Sequence, residues 1–119
     1  MATFSKIILS GSTDGKGIQV TGTSATAGTV IHTAVTGSAQ SIDEIFLWAY
    51  NTATTDRTLS ISWGSTGPGT EWNYCVTAET DGLHLVAPGL VLKNELVIKA
   101  YATVANAMHI FGYVNRSAS

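Results

Sequence analysis

Three histidines are the side chains best suited to metal binding or acid–base chemistry in this chain: His32, His84 and His109. Each lies in a different apolar segment, and no two of them have the short spacing that a zinc site usually shows. We therefore expect structural histidines whose ring nitrogens are satisfied by hydrogen bonds, and neither a metal nor another cofactor. A metal on an oligomer axis, bound by one histidine from each chain, is the alternative.

The carboxylates and serines form no catalytic pattern. The acidic residues that a glycosidase would use mostly lie next to turns, where carboxylates are common because they bind the local backbone; they are Asp43, Glu44, Asp56, Glu71, Glu79, Asp81 and Glu95. No GxSxG elbow occurs, and the glycines of GSTDGKG are too loosely spaced for a phosphate-binding loop. We expect no enzyme and no catalytic or cofactor-binding residues.

The tryptophans are the other candidates for a binding role. Trp63 continues the apolar face of an alternating strand, which predicts a core position. Trp72 follows a glycine-rich loop and is the tryptophan best placed for exposure, where a flat indole stacks on sugar rings. Core or subunit contact is the preferred interpretation of the aromatic residues, and a lectin-like module that binds host-surface glycans is the alternative.

The stretch Ile42 to Trp63 is predicted to be a hairpin whose first strand is apolar on both faces. Along IDEIFLWAYN, one face carries Phe46, Trp48 and Tyr50, and the other carries Ile45, Leu47 and Ala49. A strand covered on both sides lies between two layers or under a second chain. We therefore predict a contact with another polypeptide, a second copy or a different protein, at Phe46, Trp48 and Tyr50, extended by Phe4 and Ile7 of the first strand.

Eight or nine short strands with turn residues between them predict an all-β fold. The class is an antiparallel β-sandwich of about eight strands, with jelly-roll topology favoured over an immunoglobulin-like one. The single Cys75 excludes an internal disulfide, and its apolar strand context predicts a buried, inert thiol.

Composition bounds the compartment and the partners. Only 12% of the residues are charged and the net charge is −2, which argues against nucleic acid as a partner. No signal peptide or membrane-spanning segment is apparent, so we expect synthesis in a reducing cytoplasm and no membrane contact. We divide the chain into an N-terminal strand or arm at 1–22, a sandwich domain at 23–116 and a frayed tail at 117–119.

From residue 31 onward, several stretches resemble one family of proteins. They are IHTA at 31–34, IDEIFLWAYNT at 42–52, DRTLSISWG at 56–64, DGLHLVAPGLVLKN at 81–94 and VIKAYATVANAMHIFGYVNR at 97–116. The pattern resembles small virion structural proteins of tailed bacteriophages, which are jelly-roll capsid decoration (cement) or head-fibre-like proteins.

The resemblance implies a non-enzymatic virion protein made in the host cytoplasm. It implies a homo-oligomer, with a trimer favoured, that stabilises the head by binding the major capsid protein or other virion proteins. The segment 1–22 would then be the arm that reaches a neighbour. A tail, neck or fibre component is the alternative position in the virion.

Overall fold

A computed structural model describes residues 3–37, 40–65 and 69–118 of the chain. These ranges contain nine β-strands and one short 3₁₀ turn at Glu79–Asp81. The strands are β1 (Thr3–Ile8), β2 (Ile18–Gln19), β3 (Thr29–Thr33), β4 (Ile42–Asn51), β5 (Arg57–Trp63), β6 (Glu71–Val76), β7 (His84–Leu92), β8 (Val97–Ala102) and β9 (Met108–Ala118). The prediction of an all-β fold is confirmed. None of the described segments forms a helix of the length and apolarity needed to cross a bilayer.

The strands form two antiparallel sheets that pack together as a β-sandwich. Sheet A has the order β1-β9-β4-β7, with β2 also paired to β9, and sheet B has the order β3-β8-β5-β6. The pairs are nested along the chain: β5 pairs with β6, β4 with β7, β3 with β8, and β1 and β2 with β9. The chain thus pairs as one long hairpin whose two arms pass from sheet to sheet.

The core lies between the sheets and follows the two-residue period of the strands. In β4 the side chains of Ile45, Leu47 and Ala49 are fully buried, and in β5 those of Leu59 and Ile61 are as well. Their partners come from both sheets and from the segments around β2, so the two inner faces form one apolar cluster. Ile45, Leu47 and Ala49 therefore form the inward face of β4, and Phe46, Trp48 and Tyr50 lie on its outer side.

Strand β7 continues through Pro88 and Gly89, two residue types that commonly end a strand. Pro88 pairs opposite Phe46, and the ladder to β4 shifts register on each side of this position. Gly89 has a φ of 90° at this bulge, a conformation that glycine adopts at little cost because it has no Cβ. Proline, which has no backbone N–H, is tolerated at this position because β7 is an edge strand of sheet A and the ladder is interrupted by the bulge.

The described parts of both terminal segments pair within the sandwich. β1 pairs along its whole length with β9, and Leu9, Ile18 and Val20 are core residues, so the described part of the first segment, 3–22, contributes to the same core. The tail predicted to fray at 117–119 is strand as far as Ala118, because Ser117 and Ala118 pair with β1; Ser119 lies outside the described residues. Contact of 1–22 with a neighbouring protein stays a prediction.

The free thiol of Cys75 is exposed, which corrects the expectation that it is buried. Cys75 pairs opposite Thr58, one position out of phase with the inward Leu59 and Tyr74 pair. The side chain therefore lies on the outer face of sheet B, because the alternation of β6 and not its local hydrophobicity sets its direction.

Candidate functional site

Aromatic side chains of β4 and β9 cover the middle of the outer face of sheet A. Phe46 and Trp48 are half-buried and both stack on Tyr113, which pairs opposite Phe46. The ring centroids of Phe46 and Tyr113 are 5.0 Å apart with planes 17° apart, and those of Trp48 and Tyr113 are 6.1 Å apart at 24°. Tyr50 continues this face toward the end of β4. We call this surface the aromatic face.

Exposed aliphatic and aromatic side chains extend the aromatic face to both edges of sheet A. Phe4 is 80% exposed and Ile8 47%, both on the outer side of β1. On the opposite edge, Leu85 pairs with Trp48 and Val91 pairs with Glu44. Outward apolar side chains thus occur on all four strands of the sheet, with the polar row of Lys6, Asn115 and Glu44 between them. A face of this kind is typical of an interaction site.

Few charged side chains interrupt this surface. The Lys6 ammonium lies 4.9 Å from the centroid of the Tyr113 ring, a cation–π contact. Glu44 accepts a hydrogen bond from the Asn115 amide at 3.3 Å. Between β1 and β7, Lys6, Glu44 and Asn115 line an open depression of about 540 Å³ together with Phe4 and Ile42. Arg116, which is paired with Asp43, also lines it, so the charged groups of this depression are two positive and one negative.

The structure places four of the five residues predicted as contacts on one face of sheet A. Phe46, Trp48, Tyr50 and Phe4 all lie on the outer side of sheet A. Ile7 does not join them, because it pairs with the inward Val114 and packs against the core of its own chain. Adjacent residues of a strand point to opposite faces, so Phe4 and Ile7, three positions apart, cannot share one.

Trp72, the candidate for sugar stacking, is half-buried and contacts Trp63 with ring centroids 5.5 Å apart. Both indoles pack against the core, and the Trp63 Nε1–H donates to the Val91 carbonyl at 3.1 Å. They border an open cleft of about 470 Å³. Glu71 also lines this cleft, and its carboxylate accepts hydrogen bonds from the Tyr101 and Ser62 hydroxyls.

A buried polar cluster joins β3, β4 and β9 at one end of the core. Asp43 is fully buried and accepts from Arg116 Nε at 2.7 Å, Arg116 Nη2 at 2.9 Å and the Val35 amide at 3.1 Å. Its Oδ2 also lies 2.7 Å from His32 Nε2. His32 Nδ1 accepts the Ser10 amide N–H at 3.0 Å, which makes Nε2 the donor to Asp43 and the ring neutral.

The pKa directions agree with this arrangement. Burial lowers the pKa of His32, against the opposing pull of the Asp43 carboxylate. Burial alone raises the pKa of Asp43, but the hydrogen bonds from Arg116 and His32 outweigh it and hold that pKa below its usual value. The Asp43 carboxylate raises the pKa of Arg116 further. The cluster is thus a neutral histidine beside an ion pair whose carboxylate is buried and whose guanidinium is 28% exposed.

This cluster has a structural role that the sequence interpretation missed. Asp43 was counted among turn carboxylates, yet it is in phase with the inward Ile45 and Leu47, and that phase was the available signal. A carboxylate on an inward face needs partners, because an unpaired buried charge is too costly. His32 and Asp43 are fully buried, so neither faces a substrate.

The remaining histidines differ from each other. His84 is satisfied, because its Nε2 lies 2.9 Å from the Thr77 hydroxyl. His109 on β9 has a buried Nδ1 without a hydrogen-bond partner, unlike the expected satisfied ring. Across the described residues, no three His, Cys, Asp or Glu side chains converge as a metal site.

Comparisons of the chain with protein-family models, with curated proteins and with solved structures give no match in any of the three.

Proposed function

We propose that this chain is a non-enzymatic structural protein of a bacteriophage virion, which decorates the capsid as a small homo-oligomer and stabilises the head. The observation that carries the proposal is the aromatic face, a sheet-wide apolar surface on the exterior of a single chain. Such a surface is buried by another polypeptide in a stable assembly. The resemblance of residues 31–116 to tailed-phage decoration proteins supplies the class of assembly.

The nested strand pairing supports a jelly roll for the sandwich. A jelly roll is a long antiparallel hairpin wrapped so that its successive pairs alternate between two sheets. The innermost pair, β5–β6, lies in sheet B. Moving outward along the hairpin, β4–β7 lies in sheet A, β3–β8 in sheet B and β1–β9 in sheet A. Such a fold leaves few free strand edges, which suits a protein present in many copies on a particle.

The proposed role fits an assembly held by many modest contacts. Copies attached to one shell stabilise it together even when each contact is weak, because binding of each module raises the effective concentration of the next. The major capsid protein is the proposed partner beyond the chain itself, with other virion proteins as the alternative.

The test introduces a charge into the aromatic face. Trp48→Asp is expected to keep the sandwich folded, because Trp48 lies on the outer side of β4, and to abolish self-association and incorporation into particles. Cys75→Asp is the matched control, since it places the same charge at an exposed position of sheet B. The measurements are circular dichroism, mass in solution and the amount of protein on purified particles. A folded Trp48→Asp protein that decorates particles normally would contradict the proposal.

Position in the virion is a separate question that microscopy of the particle answers. Density for the sandwich on the outer surface of the head supports decoration. Density confined to the tail, neck or a fibre supports the alternative within the same structural class.

A carbohydrate-binding role is the second candidate, and the Trp63–Trp72 pair at the edge of an open cleft favours it. A glycan array with the wild-type protein and with Trp72→Ala tests it. Binding that disappears with the substitution supports a lectin-like function, and absence of binding to all glycans removes it.

A further inference from the structure

The strand register of sheet A makes the aromatic face complementary to itself. We propose that two copies of this chain pair through their aromatic faces about a twofold axis that lies above β9 and within about 15° of its direction, as the ~30° crossing of facing sheets requires. This inference rests on the proposed function, because it names the partner of the same surface as a second copy and gives the symmetry of the contact.

The register places matched residues on the two sides of β9. On this face, β1 and β4 flank β9, and three consecutive outward rows cross the three strands. The first row holds Phe4, Ser117 and Ile42, the second holds Lys6, Asn115 and Glu44, and the third holds Ile8, Tyr113 and Phe46. Each row has its β9 residue at the centre, and its outer members are two apolar side chains or two opposite charges.

A twofold axis above β9 and close to its direction exchanges the two sides of each row. The rotation lays β1 of one copy over β4 of the other while each position along β9 faces its own counterpart. Phe4 then meets Ile42 of the second copy, and Ile8 meets Phe46. Lys6 meets Glu44, and this contact occurs twice in the pair.

The geometry of aligned sheets permits this contact. Facing sheets lie about 10 Å apart and are rotated by roughly 30° because each is twisted. The three rows span only about 14 Å along the strands, so that rotation displaces the outermost rows by about 3–4 Å, within the reach of a side chain.

The charge of the face also suits a second copy. The pairing about β9 superposes three strands, β1, β9 and β4, over the six-residue length of β1, which measures about 20 by 14 Å, or roughly 280 Å² in projection. That is below the ~800 Å² that each partner contributes to a standard interface, so we expect a weak pair. A face with charges of a single sign would repel its own copy, whereas Lys6 and Glu44 balance each other.

Charge reversal tests the pairing. Lys6→Glu and Glu44→Lys each place like charges opposite one another at two points, so each is expected to raise the dissociation constant of the pair about ten-fold or more at low salt. The double variant Lys6→Glu with Glu44→Lys restores opposite charges and is expected to recover wild-type association. Lys99→Glu and Glu79→Lys lie away from the aromatic face and serve as matched controls.

Cross-linking reports the axis directly. In a Cys75→Ser background, Asn115→Cys lies next to the axis, so a bis-maleimide about 10 Å long is expected to link two copies through it. The wild-type protein, whose Cys75 lies on sheet B, is the control and is expected to remain unlinked.

Sedimentation equilibrium gives the mass against the 12.4 kDa of one chain. A mass of two chains, loss of association in both single reversals and recovery in the double variant together support the pairing. A trimer, a monomer, or single reversals that behave like the controls would overturn it. In those cases, particles that bind the wild-type protein but reject the Trp48→Asp variant leave the proposed virion role intact.

Discussion

At the scale of residues, the strongest local arrangement is the cluster of His32, Asp43 and Arg116. Asp43 receives donors from a side chain of β9, a ring of β3 and the Val35 amide, so its charge is compensated inside the protein. Removing one partner from such a site lowers the free energy of unfolding by more than the intact site contributes to it, because the remaining polar groups lose their partners. The cluster therefore fixes the ends of three strands relative to one another.

Stability is expected to fall as the pH is lowered. The pKa of His32 lies below its ordinary 6.5 in the folded chain, so below pH 6.5 the unfolded state takes up a proton that the folded state refuses. The pKa of Asp43 is likewise below 3.8, which adds a second loss under more acidic conditions. Each of the two groups changes the free energy of unfolding by at most about 1.4 kcal/mol per pH unit.

The measurement is the melting temperature between pH 8 and pH 3 for the wild type and for His32→Gln, which keeps a neutral donor toward Asp43. The variant is expected to lose the decrease that begins near pH 6.5 and to keep the decrease at lower pH. An identical profile in both proteins would show that His32 does not couple folding to pH.

Asp43→Asn is expected to destabilise the fold by about 3–5 kcal/mol, because it leaves the Arg116 guanidinium without its buried counter-charge. Glu79→Gln, at an exposed position of the 3₁₀ turn, is the control and is expected to change stability by less than about 0.5 kcal/mol. Urea unfolding at pH 7 compares them. Equal midpoints for the two variants would contradict a structural role for Asp43.

At the scale of elements, β1 is the strand least buried by its own chain. Five of its six residues are exposed, and it pairs on one side only, with β9. The residues that follow it are different: Leu9 is in the core and Ser10 binds His32 and Thr33. The boundary between a removable strand and an integral segment therefore falls after Ile8.

Two truncations test that boundary. Deletion of 1–8 is expected to leave a folded sandwich that no longer associates with itself or with particles, because it removes Phe4, Lys6 and Ile8. Deletion of 1–10 also removes Leu9 and the Ser10 hydrogen bonds. It is expected to lower the free energy of unfolding by about 2–5 kcal/mol more than the shorter deletion. Denaturant unfolding compares them, and equal stabilities would mean that Leu9 and Ser10 belong to the arm.

At the scale of the whole molecule, the sandwich separates its two exterior faces by chemistry. Sheet A presents aromatic and aliphatic side chains, whereas the outer side of sheet B carries hydroxyls, amides and carboxylates such as Ser60, Asn73 and Glu71. A two-sheet protein with one polar and one apolar exterior can bury the apolar side by assembly and leave the other in water.

The melting temperature is expected to rise with protein concentration, because association through sheet A stabilises the folded state by mass action. Trp48→Asp is expected to melt at one temperature across a hundred-fold range of concentration. Calorimetry at several concentrations measures both, and a wild-type melting temperature without concentration dependence would argue against self-association.

The sequence by itself determined the all-β class and the two faces of β4. Alternation of side chains is a local property, so it places Leu47 and Trp48 on opposite faces of the strand. Because both faces are apolar, the burial of Leu47 in the folded chain shows which face points inward. The same local rule could have placed Asp43 inward and Ile7 away from Phe4, had the period been followed to the ends of each strand.

Tertiary structure alone decided which strands become neighbours. His32 and Asp43 are eleven residues apart and meet only because β3 and β4 cross at one end of the core, and Arg116 reaches them from 73 residues away. The three rows across β1, β9 and β4 likewise depend on pairing between opposite ends of the chain. Periodicity fixes the direction of a side chain within its strand, whereas long-range pairing and register fix what that side chain meets.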